Sequence, residues 1–125
     1  MALDAVSTPT IVESVPFRGQ TTAGVNGYDT DASTAIDFIS APGSGKSLYL
    51  QKIILQSDDA DAHPQIQDGD GTVLFGPLMS AVEGPSLTLD LGEGAIKVTS
   101  NKAVALKAAA AGNVFVFVKY KTAED

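Results

Sequence analysis

The sequence predicts an all-β fold: an antiparallel β-sandwich, a jelly roll of about eight strands behind an extended N-terminal arm. Three observations predict it. Short apolar runs recur at spacings of roughly 8–12 residues with turn signals between them. Gly or Pro fills most of the gaps: Gly69, Gly71, Gly76-Pro77, Gly84-Pro85, Gly92, Gly94 and Gly112. Several runs alternate apolar and polar residues, as half-buried strands do. At 125 residues, the chain fits one domain.

Residues 1–9 are small and polar, end at Pro9, and read as an arm rather than a packed element. Residues 10–125 then form the single jelly-roll domain. Thr10 to Val15 alternates and stops at Pro16, a first strand. Residues 18–31 are rich in Gly, Thr, Asn and Asp and read as loop, with room for a short strand inside. Thr34 to Ile39 is the second strand candidate. A turn from Pro42 to Gly45 leads into Ser47–Gln56, the strongest apolar run of the first half. The acidic residues 57–64 end in His63-Pro64 and read as loop. Short strands are expected at 65–67, 72–75, 86–91, 94–99, 103–108 and 113–121.

Alternation assigns faces. Leu87, Leu89 and Leu91 oppose Thr88 and Asp90; Ile96 and Val98 oppose Lys97 and Thr99. In the last strand Val114, Val116, Val118 and Tyr120 share one face, with Phe115 and Phe117 on the other. A strand apolar on both faces lies under a second layer or turns its outer face to another subunit. Two runs also fit helices. Leu50, Ile53 and Ile54 have helical spacing, and Asn101–Ala111 is Ala-rich with an Asn101 cap and a Gly112 stop. Both are read as strands because their neighbours are strand-like.

Composition narrows the function classes. The chain has no Cys, which removes disulfides and thiolate chemistry and leans toward an intracellular or virion-borne protein. The formal net charge of −7 repels phosphate backbones and anionic lipid, so neither nucleic acid nor membrane is an expected partner. The cations Lys97, Lys102, Lys107, Lys119 and Lys121 read as spread along the C-terminal third and paired locally with acids. The first six residues carry neither a basic stretch nor an apolar one, so no signal peptide is read.

Gly45-Lys46-Ser47 matches the end of a phosphate loop, in which backbone N–H groups wrap phosphates, the Lys reaches the outer ones and the hydroxyl binds Mg²⁺. The first Gly of that motif falls on Ser40, and the chain lacks the βαβ units it needs. The competing reading is a Gly-rich turn feeding a strand, with Lys46 solvated. Asp58, Asp59 and Asp61 before His63, and Asp68 and Asp70 after it, raise a Ca²⁺ site. No Glu completes a calcium-loop register, and Asp-Gly pairs are ordinary in β-turns. His63 has no nucleophile in a suitable context. Glu83, Glu93, Asp37 and Asp90 offer carboxylates for glycoside chemistry, but their spacing selects no pair. Neither a catalytic residue, a metal ligand nor a cofactor is expected.

From about Ile36 to Tyr120 the chain resembles the small jelly-roll decoration, or cement, proteins of tailed bacteriophage heads. The stretch from Gly45 to Leu55 is similar to that group's Gly-Lys-polar-apolar strand, and Ile66 to Pro77 to its Asp-Gly hairpin closing on Gly-Pro. Leu87-Thr88-Leu89 follows at the usual distance, and Gly112 to Tyr120 is similar to the final strand ending in Tyr. The run Ala108–Ala111 departs from the pattern. Other small viral jelly rolls, including fibre and spike heads, share it. The resemblance implies a homotrimer on the outer capsid surface of the virion, made in the host cytoplasm, that reinforces contacts between major capsid subunits and uses its N-terminal segment as an arm. The alternative is a fibre or spike head that binds a host receptor or sugar.

Overall fold

The computed structural model describes residue 3 and residues 5–7, 21–79 and 86–125. The expected strand at 10–15, Glu83 and the Gly84-Pro85 turn lie outside them. Ten strands are seen, and no helix is seen among the described residues: β1 Ala5–Ser7, β2 Thr21–Asp29, β3 Ile36–Ile39, β4 Lys46–Ser57, β5 Gln65–Asp68, β6 Val73–Phe75, β7 Ser86–Asp90, β8 Ile96–Lys97, β9 Val104–Lys107 and β10 Val114–Glu124.

The strands form two antiparallel sheets. A six-stranded sheet runs β1-β2-β10-β4-β7, with β8 also on β4, and a four-stranded sheet runs β3-β9-β5-β6. The pairings are those of one long hairpin rolled up. Nested pairs run from β5/β6 at the tip through β4/β7 and β3/β9 to β2/β10 at the open end. Rolling adds β4/β10 and β5/β9. This is a jelly roll, as the strand rhythm predicts.

The core lies between the sheets. Leu48, Leu50, Ile53 and Leu55 of β4, Val114, Val116 and Val118 of β10, and Ile36, Ile66, Val104 and Leu106 from the facing sheet are all buried. Neither helix-compatible run is helical: the first is β4, and the second is strand only over Val104–Lys107 and bends through the alanines. Nothing in β4 is helical because its inward residues pair with β10 from Ser47 to Ser57. Around the alanine run, the backbone donors go to other loops: Ala108 N–H to Ala32 O at 2.8 Å, Ala109 N–H to Ala62 O at 2.6 Å and Gly112 N–H to Thr30 O at 3.0 Å. A helix would need those donors for itself. The alanines are there because three backbones meet, with Ala32, Ala62 and Ala108 buried at the junction.

Two expectations are corrected. Residues 18–31 are not mainly loop, since β2 pairs with β10 over nine positions, from Asp29↔Val114 to Thr21↔Thr122. Its Gly and Asn residues have weak strand propensity, but a long apolar partner overrides propensity. The arm is not free of the fold: Ala5–Ser7 adds to the sheet against Asn26–Tyr28, and Leu3 is buried.

Candidate functional site

The Gly43–Ser47 run is a turn. Gly43 and Gly45 take φ of 112° and 77°, open to glycine and costly for other residues. Lys46 N–H donates to Gly43 O at 3.2 Å, and Gly43 N–H donates to Asn101 Oδ1 at 2.9 Å. Two N–H groups that a phosphate loop would aim at its ligand are therefore spent within the fold. The chain then enters a strand, Lys46 stays exposed, and Ser47 is buried with its hydroxyl on the Asp125 carboxylate. Asn101, a helix-cap candidate in the sequence, instead sits at φ 54° and clasps this turn.

The acids also hold turns. Asp68 is buried, and its Oδ1 accepts from Asp70 N–H at 2.9 Å and Thr72 N–H at 3.0 Å. Asp70 turns away to Lys102 at 3.2 Å. Asp59 accepts from Asp61 N–H at 2.8 Å, and Asp58 from Asn113 Nδ2 at 3.1 Å. His63 donates from Nδ1 to Leu78 O at 3.2 Å. Among the described residues no three His, Asp or Glu side chains converge as a cation site would need. Asp37 lies on the four-stranded sheet and Asp90 on the six-stranded one, so the structure does not bring them together.

At the chain's end the Asp125 carboxylate accepts from Ser100 and Ser47 and lies 3.7 Å from the Lys97 ammonium. Those hydroxyls, foremost Ser100, with help from Lys97, hold it below the usual carboxylate range. The Ser33 contacts lower Asp31 likewise, and burial raises the Tyr120 phenol.

The outer face of the six-stranded sheet carries a further group of candidate binding residues. Cross-strand partners share a face, so register assigns its residues. One row runs Tyr28–Phe115–Gln56–Ser86, the next Asn26–Phe117–Ile54–Thr88, and the third Gly24–Lys119–Lys52–Asp90. Tyr28 is 48% exposed, and Phe115, Phe117 and Ile54 are half-buried. At Lys119/Tyr120 the register slips by one, leaving Gln51 as the extra residue of a bulge. Beyond it Lys121, Tyr49 and Lys97 share a fourth row. A groove of about 420 Å³ opens there, lined by Tyr49, Gln51, Glu93, Lys121 and Glu124. Gln51 is nearly buried; its Nε2 donates to Gly92 O at 3.3 Å, while its Oε1 has no hydrogen-bond partner.

The sequence placed Phe115 and Phe117 opposite the core-facing valines, and they are there. It did not place Tyr28, which sits on the strand read as loop. It treated the lysines as spread along the chain, whereas the sheet gathers four of them. Their signal was present as Phe115, Phe117 and Lys119 at alternate positions, but the partner strands were needed to read it.

No protein-family model matches the chain, and comparison with curated proteins gives no match. Among solved structures the chain is similar to the C-terminal CBM6 of LamC, a marine laminarinase from Zobellia galactanivorans, at 10% identity and TM-score 0.41, covering 96% of this chain and 100% of that one. It is also similar to the Podospora anserina GH26-CBM35 β-(1,4)-mannanase, at 12% identity and TM-score 0.33, covering 99% of this chain and 26% of that one. A family 35 carbohydrate-binding module from Clostridium thermocellum follows at 13% identity and TM-score 0.28, covering 96% and 92%. Likenesses this distant carry no ligand across to this chain.

Proposed function

We propose that this chain is a structural virion protein that decorates and stabilises the outside of a phage capsid by binding major capsid subunits. The observation that carries the reading is the outward face of β10 and its neighbours. Tyr28, Phe115, Phe117 and Ile54 form an apolar stripe on a sheet face where an isolated domain would carry polar residues. Asp59, Asp68 and Asp90 accept from backbone N–H groups of their own turns, and the Gly45-Lys46-Ser47 run is occupied within the fold. The resemblance of Gly45–Leu55, Ile66–Pro77 and Gly112–Tyr120 to cement proteins supports the same reading. The protein acts without catalysis, as a homo-oligomer, with a trimer the expected state.

A ligand that engages only the assembled shell shifts the equilibrium toward intact shell. Undecorated heads of the phage encoding this chain, mixed with purified protein and heated, should bind it and release their genome at a higher temperature. No binding and an unchanged release temperature would sink the reading. Light scattering checks the oligomer: a monomer mass removes the trimer. The groove beside Gln51, with a tyrosine and both charge signs, favours a second reading as a fibre or spike head that binds receptor or sugar. Saturable binding to host cells without capsid would move the assignment there.

A further inference from the structure

We infer that the groove beside Gln51 is a small-ligand site, and that its ligand is a neutral polyhydroxyl compound, a sugar ring held through a hydroxyl donated to Gln51 Oε1. The inference goes beyond the decoration reading and does not depend on it. It starts from the bulge in β4. Opposite the Lys119/Tyr120 step, β4 has one residue too many, Gln51 between Leu50 and Lys52. Leu50 is buried in the core, while Tyr49 and Lys52 stand on the outer face of the sheet. A bulge re-aims the side chain that it inserts. Here that side chain lines the groove on the outer face, together with Tyr49 and Lys121.

The amide of Gln51 is fixed and half satisfied. The residue is only 5% exposed. Its backbone carbonyl accepts from Leu91 N–H at 2.9 Å, and its Nε2 donates to Gly92 O at 3.3 Å. A backbone carbonyl can only accept, so that contact decides which amide atom is the nitrogen and which the oxygen. The acceptor is itself held in place: Gly92 N–H donates to Asp90 Oδ1 at 3.0 Å, and Gly94 N–H closes the turn on Leu91 O at 2.9 Å. Oε1 is left as the one buried side-chain oxygen without a hydrogen-bond partner among the described residues. Such acceptors are costly to leave unpaired.

The rest of the lining selects the donor. Glu93 and Glu124 disfavour an anion, and the Lys121 ammonium disfavours a cation. Lys121 has an interaction partner of its own within the chain, so it asks for no outside acid. A neutral hydroxyl suits both signs, because it donates to a carboxylate or carboxamide oxygen and accepts from an ammonium. Tyr49 adds a half-buried ring for an apolar ligand face. A sugar ring combines these features, with hydroxyls around its edge and C–H groups on its faces. At about 420 Å³ the groove falls within the range of about 300–1,000 Å³ typical of small-ligand sites. A free sugar and the end of a host-surface glycan offer the same chemistry.

The probes are glucose, galactose, mannose and N-acetylglucosamine, each as the free sugar and as a short oligosaccharide, titrated into the isotope-labelled full chain and followed by NMR. At least one should bind saturably in the millimolar range or tighter and shift the side-chain amide signals of Gln51 and the ring signals of Tyr49. Gln51→Met keeps the side-chain volume and removes the acceptor. It should lower affinity about tenfold or more. Its melting temperature should be unchanged or raised, because an unpaired buried oxygen is gone and Gly92 O, on an exposed turn, is left to water. Glu93→Ala, at an exposed position of the groove, is a second variant that should fold as wild type and bind several-fold more weakly. Gln56→Ala, exposed further along β4, should bind as wild type. Equal affinity for free sugar and oligosaccharide identifies a soluble sugar, and tighter oligosaccharide binding identifies a glycan; both bear out the site. Wild type that binds no sugar of the panel overturns the inference and leaves decoration standing. So does sugar binding undiminished in Gln51→Met, or in Glu93→Ala where the first variant does not fold. Shifts of the same signals with calcium chloride or ethylammonium chloride, and with no sugar, reassign the groove to a cation and also overturn it.

Discussion

Asn101 shows how much one side chain decides. Its backbone sits in the left-handed region at φ 54°, its N–H donates to Lys46 O at 2.8 Å, and its Oδ1 accepts from Gly43 N–H. It thereby locks the turn that launches β4. Asn101→Ala should cost about 1–2 kcal/mol, from a lost hydrogen bond and the strain of a Cβ residue at positive φ. Asn101→Gly should cost less, because glycine keeps the φ and loses only the acceptor. Lys46→Ala, on the same turn, should stay within about 0.5 kcal/mol of wild type. Urea melts of the three variants check the order; equal losses for Ala and Gly would contradict the strain component. Asp125 makes the second residue-scale case. Its folded carboxyl is held below 3.8 by Ser100, Ser47 and Lys97. A depressed carboxyl stabilises the fold above its unfolded value, and that contribution is lost as pH falls below 3.8 and through the folded value. Between pH 5 and pH 3 the wild type should therefore lose more stability than Asp125→Asn. Parallel losses in the two would remove Asp125 as a contributor. Neither role was readable from the sequence, because both depend on residues more than twenty positions apart, Gly43 with Asn101, and Ser100 and Ser47 with Asp125.

At the scale of elements, legibility followed hydrophobic content. The run of β10 and the alternating faces of β7 and β8 were plain because residues at period two sort onto the two sides of a sheet, whereas the run of β4 was strong but also fitted a helix and was assigned by its neighbours. β2 was hidden. Thr21, Thr22, Gly24, Asn26 and Gly27 give no apolar period, and the strand exists because β10 supplies a ladder along its whole length. The N-terminal segment misled for the same reason: three residues of strand against β2 are set by the partner, not by their own composition. The alanine run misled in the opposite direction, with helical propensity on a segment whose donors are claimed by Ala32, Ala62 and Thr30. Gly112 belongs to that junction. A Cβ built there would lie 2.6 Å from Asp59 Cβ, which leaves no space for any side chain. The helix stop read from the sequence is a close approach of two loops. The outward face depended on all of these registers at once, which is why its lysine band stayed out of sight until strands were paired.

For the whole molecule, the rolled hairpin makes β10 indispensable. Among the described residues β2 pairs with β1 on one side and β10 on the other, so there β10 is the connection between the N-terminal strands and β4 within their sheet. Its inward valines, Val114, Val116 and Val118, are buried in the same core as Ile53 and Leu55. Removing it exposes that core and orphans two ladders. Each deleted valine forfeits about 1.5–3 kcal/mol of burial, several times over for the strand, against a net stability of about 5–15 kcal/mol for a domain. A chain ending at residue 113 should therefore not fold: it should show no cooperative thermal transition and should bind a hydrophobic dye in native buffer. A four-residue truncation, ending at Lys121, keeps the valines and loses only the Asp125 clasp and the last ladder positions, so it should still melt cooperatively at a lower temperature. Circular dichroism melts of the two truncations decide the point. A cooperative melt of the 1–113 chain would mean that β2 finds another partner, and that the six-stranded sheet is not held together by its central strand.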